Sequence, residues 1–194
     1  GITHGDINGI GYEVILKTFS DIRIAYLCTP IIYGSSKIAA YHRKVLEMQP
    51  VNISVINQAE DAGVNRINII NCADEESKVE LGKSTEIAGE AALKALEAAC
   101  NDLKRGVIDV LVTAPINKHN IQNDQFHFPG HTEYLEEVFG VSGKKALMIL
   151  MSNNLRVALV TGHLPLSEVV QNITKEDIKS KLSVFNQSLK QDFG

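Results

Sequence analysis

The sequence predicts an α/β protein built on a mostly parallel sheet, with helices on both faces and an antiparallel element in its second half. Three observations predict it. Short runs of β-branched and aliphatic residues alternate with segments of helical spacing, the order expected of a parallel sheet. The segment 85–105 places Ala88, Ala91, Ala92, Ala95, Ala99 and Leu103 at i, i+3, i+4 and i+7 positions, a small-residue face suited to close packing on a sheet. The apolar runs 146–151 and 155–160 are joined only by Ser152-Asn153-Asn154, and asparagine tolerates the positive φ of a hairpin turn.

The elements follow in order. Gly1 to Thr3 reads as the end of a strand, followed by the glycine-rich loop Gly5 to Gly11 and a helix from Tyr12 to Phe19. Pro30 to Tyr33 is a short strand. Ser36 to Met48 has helical spacing, with Ile38, Val45 and Met48 on or near one face. Val51 to Ile56 and Arg66 to Ile70 are strands rich in β-branched residues. The helix Thr85 to Arg105 carries Lys104 and Arg105 at its C-terminal end, and Gly106 is a natural stop. Val107 to Thr113 is the next strand and ends at Ala114-Pro115. Phe128 to Gly140 holds a loop, then a helix with Tyr134, Leu135, Val138 and Phe139. Leu155 to Val160 reads as a buried strand. The last helix runs from about Lys175 to Lys190, capped by Thr174, with Ile178, Leu182, Phe185 and Leu189 as its buried stripe. A first domain is expected over 1–114 and part of a second over 115–194. Both ends look cut, at Gly1-Ile2-Thr3 and at Phe193-Gly194, as in a piece of a longer chain.

Composition narrows the function. Of 194 residues, 44% are hydrophobic and 22% charged, with a net charge of -4, ordinary values for a globular protein. No basic tract is present, which argues against nucleic-acid binding. The apolar runs are far short of a membrane span, and no signal-peptide pattern opens the chain. Cys28, Cys72 and Cys100 are odd in number and widely spaced. They read as three free, mostly buried thiols in a reducing cytoplasm.

Four segments carry chemistry. In Gly5-Asp6-Ile7-Asn8-Gly9-Ile10-Gly11, glycines allow close backbone approach to a ligand, and the helix start offers N–H groups to an anion. Neither a G-x-G-x-x-G nor a Walker spacing is present, so a plain strand–helix turn stays open. Lys118, after Thr113-Ala114-Pro115, can reach a phosphate or carboxylate, or is a plain surface lysine. In Phe128-Pro129-Gly130-His131-Thr132-Glu133, His131 and Thr132 sit where a helix begins, which suits an anionic substrate group; Thr132 can also act simply as its cap. His163 follows the run 155–160 in Thr161-Gly162-His163-Leu164-Pro165, at a strand end where α/β proteins bind ligands. A satisfied core histidine is the alternative. One histidine cannot hold a catalytic metal, which usually takes three protein ligands. His42 and His119 read as surface residues, and His127 as ambiguous. If the strands are parallel, these segments share one sheet edge.

Taken together, the segments resemble the 4-hydroxythreonine-4-phosphate dehydrogenase family of vitamin B6 biosynthesis. The resemblance rests on Gly5-Asp6-x-x-Gly9-Ile10-Gly11-x-Glu13, Leu111 to Lys118, Phe128 to Glu133 and Leu155 to Leu166. It implies the two-domain isocitrate/isopropylmalate-dehydrogenase-like fold. It implies NAD or NADP as cofactor and oxidation of the 3-hydroxyl of 4-phosphooxy-L-threonine, followed by decarboxylation to 3-amino-2-oxopropyl phosphate. It also implies a homodimer with the active site at the interface, and a divalent metal (zinc first, magnesium or cobalt as alternatives) held by three histidines. Carried over by position, His163 matches the first metal ligand, and His131 and Thr132 the substrate-binding pair, with Lys118 beside them. Asp6, Gly9 and Gly11 would contact the cofactor. The other two metal histidines have no match in these 194 residues, which points to an incomplete, inactive piece. Ile7-Asn8 and Tyr12 depart from the family's usual Pro-Ala and Pro, and Gly162 from its usual Thr. Alternatives are a dehydrogenase of a related four-carbon phosphorylated hydroxy acid, of 4-phospho-threonate or erythronate type, and a phosphate acyltransferase-like protein. The His131 and His163 segments favour the dehydrogenase.

Overall fold

Five strands form one sheet: β1 (Ile2–Thr3), β2 (Ile31–Gly34), β3 (Ile53–Ile56), β4 (Ile67–Asn71) and β5 (Val112–Thr113), in the order β3-β4-β2-β1-β5. All four pairings are parallel. The computed structural model describes residues 1–73, 77–140 and 146–193; Gly194 lies outside the described residues. Successive residues of a strand face opposite sides of a sheet, and β2 shows it. Ile31 and Tyr33 pack with Ala95 and Ala99, whereas Ile32 packs with Ile15, Phe19 and Ile38. Helices α1 (Gly11–Phe19) and α2 (Ser36–Val45) therefore cover one face, and α3 (Glu86–Lys104) covers the other. Ile67 and Ile69 of β4 are fully buried, each contributing roughly 2–3 kcal/mol by burial.

The strand order carries the functional consequence. From β1 the chain crosses to β2 and onward, then returns on the other side of β1 as β5. This reversal makes a topological switch point between β1 and β5, and ligands of open α/β sheets bind outside the strand ends there. The loops leaving those two ends are residues 4–10 and 114–118.

Helix α3 forms as its sequence dictates. Thr85 Oγ1 accepts from the Ala88 N–H at 3.3 Å, an N-cap. Ala88, Ala91, Ala92, Ala95 and Ala99 are all buried. At the other end Gly106 takes φ 70°, and Val107 N–H reaches the Asp102 carbonyl at 3.0 Å, closing the last turn. Gly89 is required by packing: a Cβ there would run into the Asn120 carbonyl. Only Val112–Thr113 of the expected strand 107–113 pairs in the sheet, because β1 itself offers just Ile2 and Thr3 as partners. The face of α2 differs from expectation. Ile38, Ala39 and His42 are buried, while Val45 is exposed.

By packing, the chain makes two units, Gly1–Phe139 and Gly140–Gly194. The sequence reading put the break at 114/115. Residues 115–139 join the first unit because Ile121, Phe126 and Tyr134 pack against Ala92, Leu93 and Leu96 of α3. Their aromatic centre is tight, with Phe126 stacked on Tyr134 at 5.3 Å and Phe128 edge-on to both.

The second unit contains the expected antiparallel hairpin, β6 (Ile149–Ser152) and β7 (Leu155–Ala158). A short helix α5 (Leu166–Val169) follows, then α6 (Lys175–Gln191), capped by Thr174 Oγ1 on the Asp177 N–H at 3.1 Å. Two expectations fail here. The strand after Ser152-Asn153-Asn154 is not buried, with Leu155 and Val157 exposed, and no residue of α6 is buried. One hairpin and one long helix present too little surface to enclose each other's apolar side chains. The cysteines also differ from expectation, since Cys28 is exposed, Cys72 half-buried and only Cys100 buried. No helix among the described residues is long and apolar enough to cross a membrane.

Candidate functional site

The glycine-rich loop and the end of β5 meet directly. Asp6 N–H donates to the Pro115 carbonyl at 2.9 Å. Gly5 takes φ 70°, and a Cβ there would collide with the Pro115 carbonyl oxygen, so only glycine lets the two loops close together. Gly11 lies equally tight, against the His4 carbonyl. Gly9 is different. A Cβ there would sit 3.5 Å from Asp6, ordinary contact, so packing within the chain does not demand glycine at the loop's outer rim. Asp6 is nearly buried, and its Oδ1 accepts from the Asn8 N–H at 2.8 Å.

Beneath the loop lies a column of rings that sequence reasoning missed. Tyr12 stacks between His4, at 5.2 Å between centroids, and His42, at 5.3 Å. All three are buried. His42, expected on the surface, instead donates from Nε2 to the Ile7 carbonyl in the loop at 2.8 Å. That acceptor fixes the tautomer with hydrogen on Nε2. The missed signal was the i, i+4 relation of Ile38 and His42 on the buried face of α2. Tyr12 hydroxyl accepts from Ser35 N–H at 2.8 Å and is 3.2 Å from the Ser35 carbonyl. Neither ring nitrogen of His4 makes a hydrogen bond of normal geometry among the described residues. Burial pushes its pKa down to about 4, although the Gly5 and Ala91 backbones offset part of that effect. Burial also lowers the pKa of His42. Both shifts favour the neutral ring.

A cationic corner lies beyond the end of β5. Asn117 Oδ1 accepts from His119 N–H at 2.9 Å and turns the chain. Lys118 follows, exposed. Its Nζ is 3.7 Å from where a side chain on Gly130 would begin. Helix α4 (His131–Phe139) starts at the next residue. His131 Nε2 is buried and has no hydrogen-bond partner among the described residues. Burial first, and the Lys118 ammonium second, lower the His131 pKa. Thr132 is the second residue of α4 and not its cap; Gly130 precedes the helix, and its carbonyl accepts from Tyr134 N–H at 3.3 Å. An ammonium, an unpartnered imidazole nitrogen and the N-terminal turn of a helix together favour an anionic group such as a phosphate.

His163 belongs to the second unit. It is exposed, in the loop between β7 and α5, with φ 55°, a conformation uncommon for a side-chain-bearing residue. Among the described residues, no three His, Cys, Asp or Glu side chains group as a metal site. His163 is one donor, and the described residues alone do not fit a three-ligand metal. His119 is exposed as expected, and His127 Nε2 pairs locally with the Asp124 carbonyl at 2.9 Å.

Known proteins are similar to this chain in sequence and fold. The 4-hydroxythreonine-4-phosphate dehydrogenase of Bacteroides thetaiotaomicron is 61% identical over 194 residues, all of this chain and 53% of that protein. The D-threonate 4-phosphate dehydrogenase of Cupriavidus necator is 30% identical over 97% of this chain and 56% of that protein. The chain thus spans about half the length of the curated relatives it matches. The crystal structure of a 4-hydroxythreonine-4-phosphate dehydrogenase from Burkholderia phymatum aligns with a TM-score of 0.84 at 28% identity, over 98% of this chain and 58% of that one. Residues 26–194 match the family described as pyridoxal phosphate biosynthetic protein PdxA, and the chain belongs to that family.

Proposed function

We propose that this chain is the N-terminal part of an NAD(P)-dependent dehydrogenase that oxidises the 3-hydroxyl of 4-phosphooxy-L-threonine, with subsequent loss of CO2 to give 3-amino-2-oxopropyl phosphate. The fold in this reading is of the isocitrate/isopropylmalate-dehydrogenase type, and the protein is cytoplasmic. One observation carries the reading. The glycine-rich loop and the end of β5 flank a topological switch point, and the cationic Lys118–His131 corner follows directly from that strand end.

In this reading Lys118, His131 and Thr132 anchor the substrate phosphate. The phosphate is remote from the bonds that change, so its binding energy serves orientation. Neutral His131 offers one N–H and one lone pair, and Lys118 supplies the full positive charge. Asp6, Gly9 and Gly11 face the dinucleotide, and the space at Gly9 lets a ligand approach the backbone closely. A dinucleotide held there would supply the acceptor for the hydride leaving C3. His163 contributes one ligand to a divalent-metal site whose other ligands come from outside these 194 residues. Apolar side chains exposed in the second unit, among them Leu150, Met151, Leu155 and Leu182, support a homodimer, since exposed apolar surface of this kind commonly marks an interface.

The test is NAD(P)+ reduction by a protein of the relatives' full length. 4-phosphooxy-L-threonine should be turned over, and Lys118→Ala and His131→Ala should raise its KM. Activity surviving His163→Ala would remove His163 as a ligand. The similarity to a D-threonate 4-phosphate dehydrogenase favours one second reading, oxidation of a related four-carbon phosphorylated hydroxy acid. A higher kcat/KM for D-threonate 4-phosphate would select it.

A further inference from the structure

We infer that Asn8 is the positioning residue of the glycine-rich loop, clamping residues 80–85 around it so that the loop is held in one conformation before any ligand arrives. Asn8 is buried, yet both polar ends of its side chain are satisfied. Its Nδ2 donates to the Lys83 carbonyl at 3.0 Å and to Thr85 Oγ1 at 2.9 Å. Its Oδ1 accepts from Glu80 N–H at 2.7 Å. Its own carbonyl accepts from Gly82 N–H at 2.9 Å, and its N–H bonds Asp6 Oδ1 at 2.8 Å. Five hydrogen bonds therefore converge on one residue, four of them to a segment 72 to 77 positions away in sequence.

Thr85 makes the clamp continuous with the core. The hydroxyl that Asn8 contacts also caps α3, and α3 packs on the sheet at β1 and β2. On its other sides the loop is tied to Pro115 through Asp6 and to α2 through Ile7 and His42. Ile10 is the exposed residue at its rim. Removing the Asn8 amide would free the fourth side and leave Glu80 N–H and the Lys83 carbonyl without their present partners. A buried polar network fully satisfied in this way rigidifies its surroundings, and a half-satisfied one does not. Asn8 contacts no ligand in this account. It acts through Gly9 and Gly11, which the proposed function assigns to the dinucleotide, and the inference rests on that reading for its kinetic consequence only.

The experiment has two arms. In the first, amide hydrogen exchange is followed in the 194-residue chain and its Asn8→Ala and Asn8→Asp variants. In Asn8→Ala exchange at Glu80 and Gly82 should accelerate about tenfold, and in Asn8→Asp, whose carboxylate still accepts from Glu80 N–H, at Gly82 only, while Asn68 in β4 stays unchanged. Unchanged exchange at Glu80 and Gly82 overturns the clamp. Thr85→Ser, which keeps the hydroxyl that caps α3 and meets Asn8, should leave Gly82 unchanged, and Thr85→Val should accelerate Gly82 to a lesser degree than Asn8→Ala; this pair serves where Asn8→Ala does not fold. In the second arm, steady-state kinetics are measured in a protein of the relatives' full length. KM for NAD(P)+ should rise about tenfold, with kcat and KM for the phosphorylated substrate within about twofold. Faster exchange with an unchanged cofactor KM makes Asn8 merely structural and overturns the positioning role. If the unsubstituted protein reduces neither NAD+ nor NADP+, the dehydrogenase reading fails, and the clamp is decided by the exchange arm alone.

Discussion

Mild acid should destabilise the first unit before its carboxylates titrate, and His4 is the main cause. The unfolded chain binds the His4 proton near the ordinary histidine value of 6.5, the folded chain only near 4. Between those values unfolding takes up a proton, so falling pH favours it. The stability from neutral His4 is fully present above about pH 6.5 and is lost as pH falls toward 4. A shift of that size corresponds to about 3 kcal/mol in full and about 2 kcal/mol between pH 7 and pH 5. Asp and Glu titrate largely below that window. His42 and His131, whose values are also lowered, add losses of the same sign. With a urea slope of about 2 kcal/mol/M, the midpoint should drop by about 1 M or more from pH 7 to pH 5. The assay is urea unfolding followed by circular dichroism at both pH values, for the natural chain and for His4→Phe. Phenylalanine keeps a ring against Tyr12 but cannot titrate. Its absolute stability is immaterial; its loss between pH 7 and pH 5 should be about half that of the natural chain or less. An equal loss in both proteins, or no loss in the natural chain, would refute the reasoning.

Three further outcomes follow from the same geometry. Gly9→Ala should leave the thermal midpoint within about 1 °C but weaken dinucleotide binding, whereas Gly5→Ala should destabilise by about 2 kcal/mol or more because of its positive φ and the Pro115 carbonyl; equal destabilisation by the two would contradict the assignment of free space at Gly9. Gly89→Ala should cost about 1–3 kcal/mol, since the Asn120 carbonyl leaves no room for a methyl group, and chemical denaturation with a near-natural stability would disprove that close approach. Binding of inorganic phosphate at the Lys118 corner should raise the His131 pKa, because the anion offsets the Lys118 charge that helps to lower it; a two-dimensional NMR titration of His131 showing no upward shift would remove phosphate from that corner.

Most of the fold was legible because its signals are local. The alanine spacing of α3, the Thr85 and Thr174 caps and the Gly106 stop each act within a few residues, and each is found where periodicity and capping chemistry put it. The hairpin at Asn153-Asn154 is local in the same sense. The errors are of another kind. Burial of α6 and of the strand after Asn154 was inferred from apolar spacing, but spacing names the face that would be buried without supplying the surface that covers it. The boundary expected at residue 115 is a different matter: nothing local announces that Ile121, Phe126 and Tyr134 return to α3.

The candidate site divides along the same line. Groups that would face a ligand come in short motifs, since a loop must present them together: Gly5 to Gly11, Lys118 and Gly130 to Thr132 were all visible as strings of residues. Groups that hold those motifs in place are scattered. His42 reaches Ile7 across 35 positions, and Asn8 reaches Glu80 and Thr85 across 72 and 77. A lone histidine in a helix and a lone asparagine in a loop have no periodicity to betray them. Asn8 and Tyr12 bind the loop and the helix start to distant backbone, at Lys83 and at Ser35. A proline would stiffen only its own stretch of backbone; these two side chains instead make the rigidity of the loop a property of the surrounding core, which no short string of residues announces.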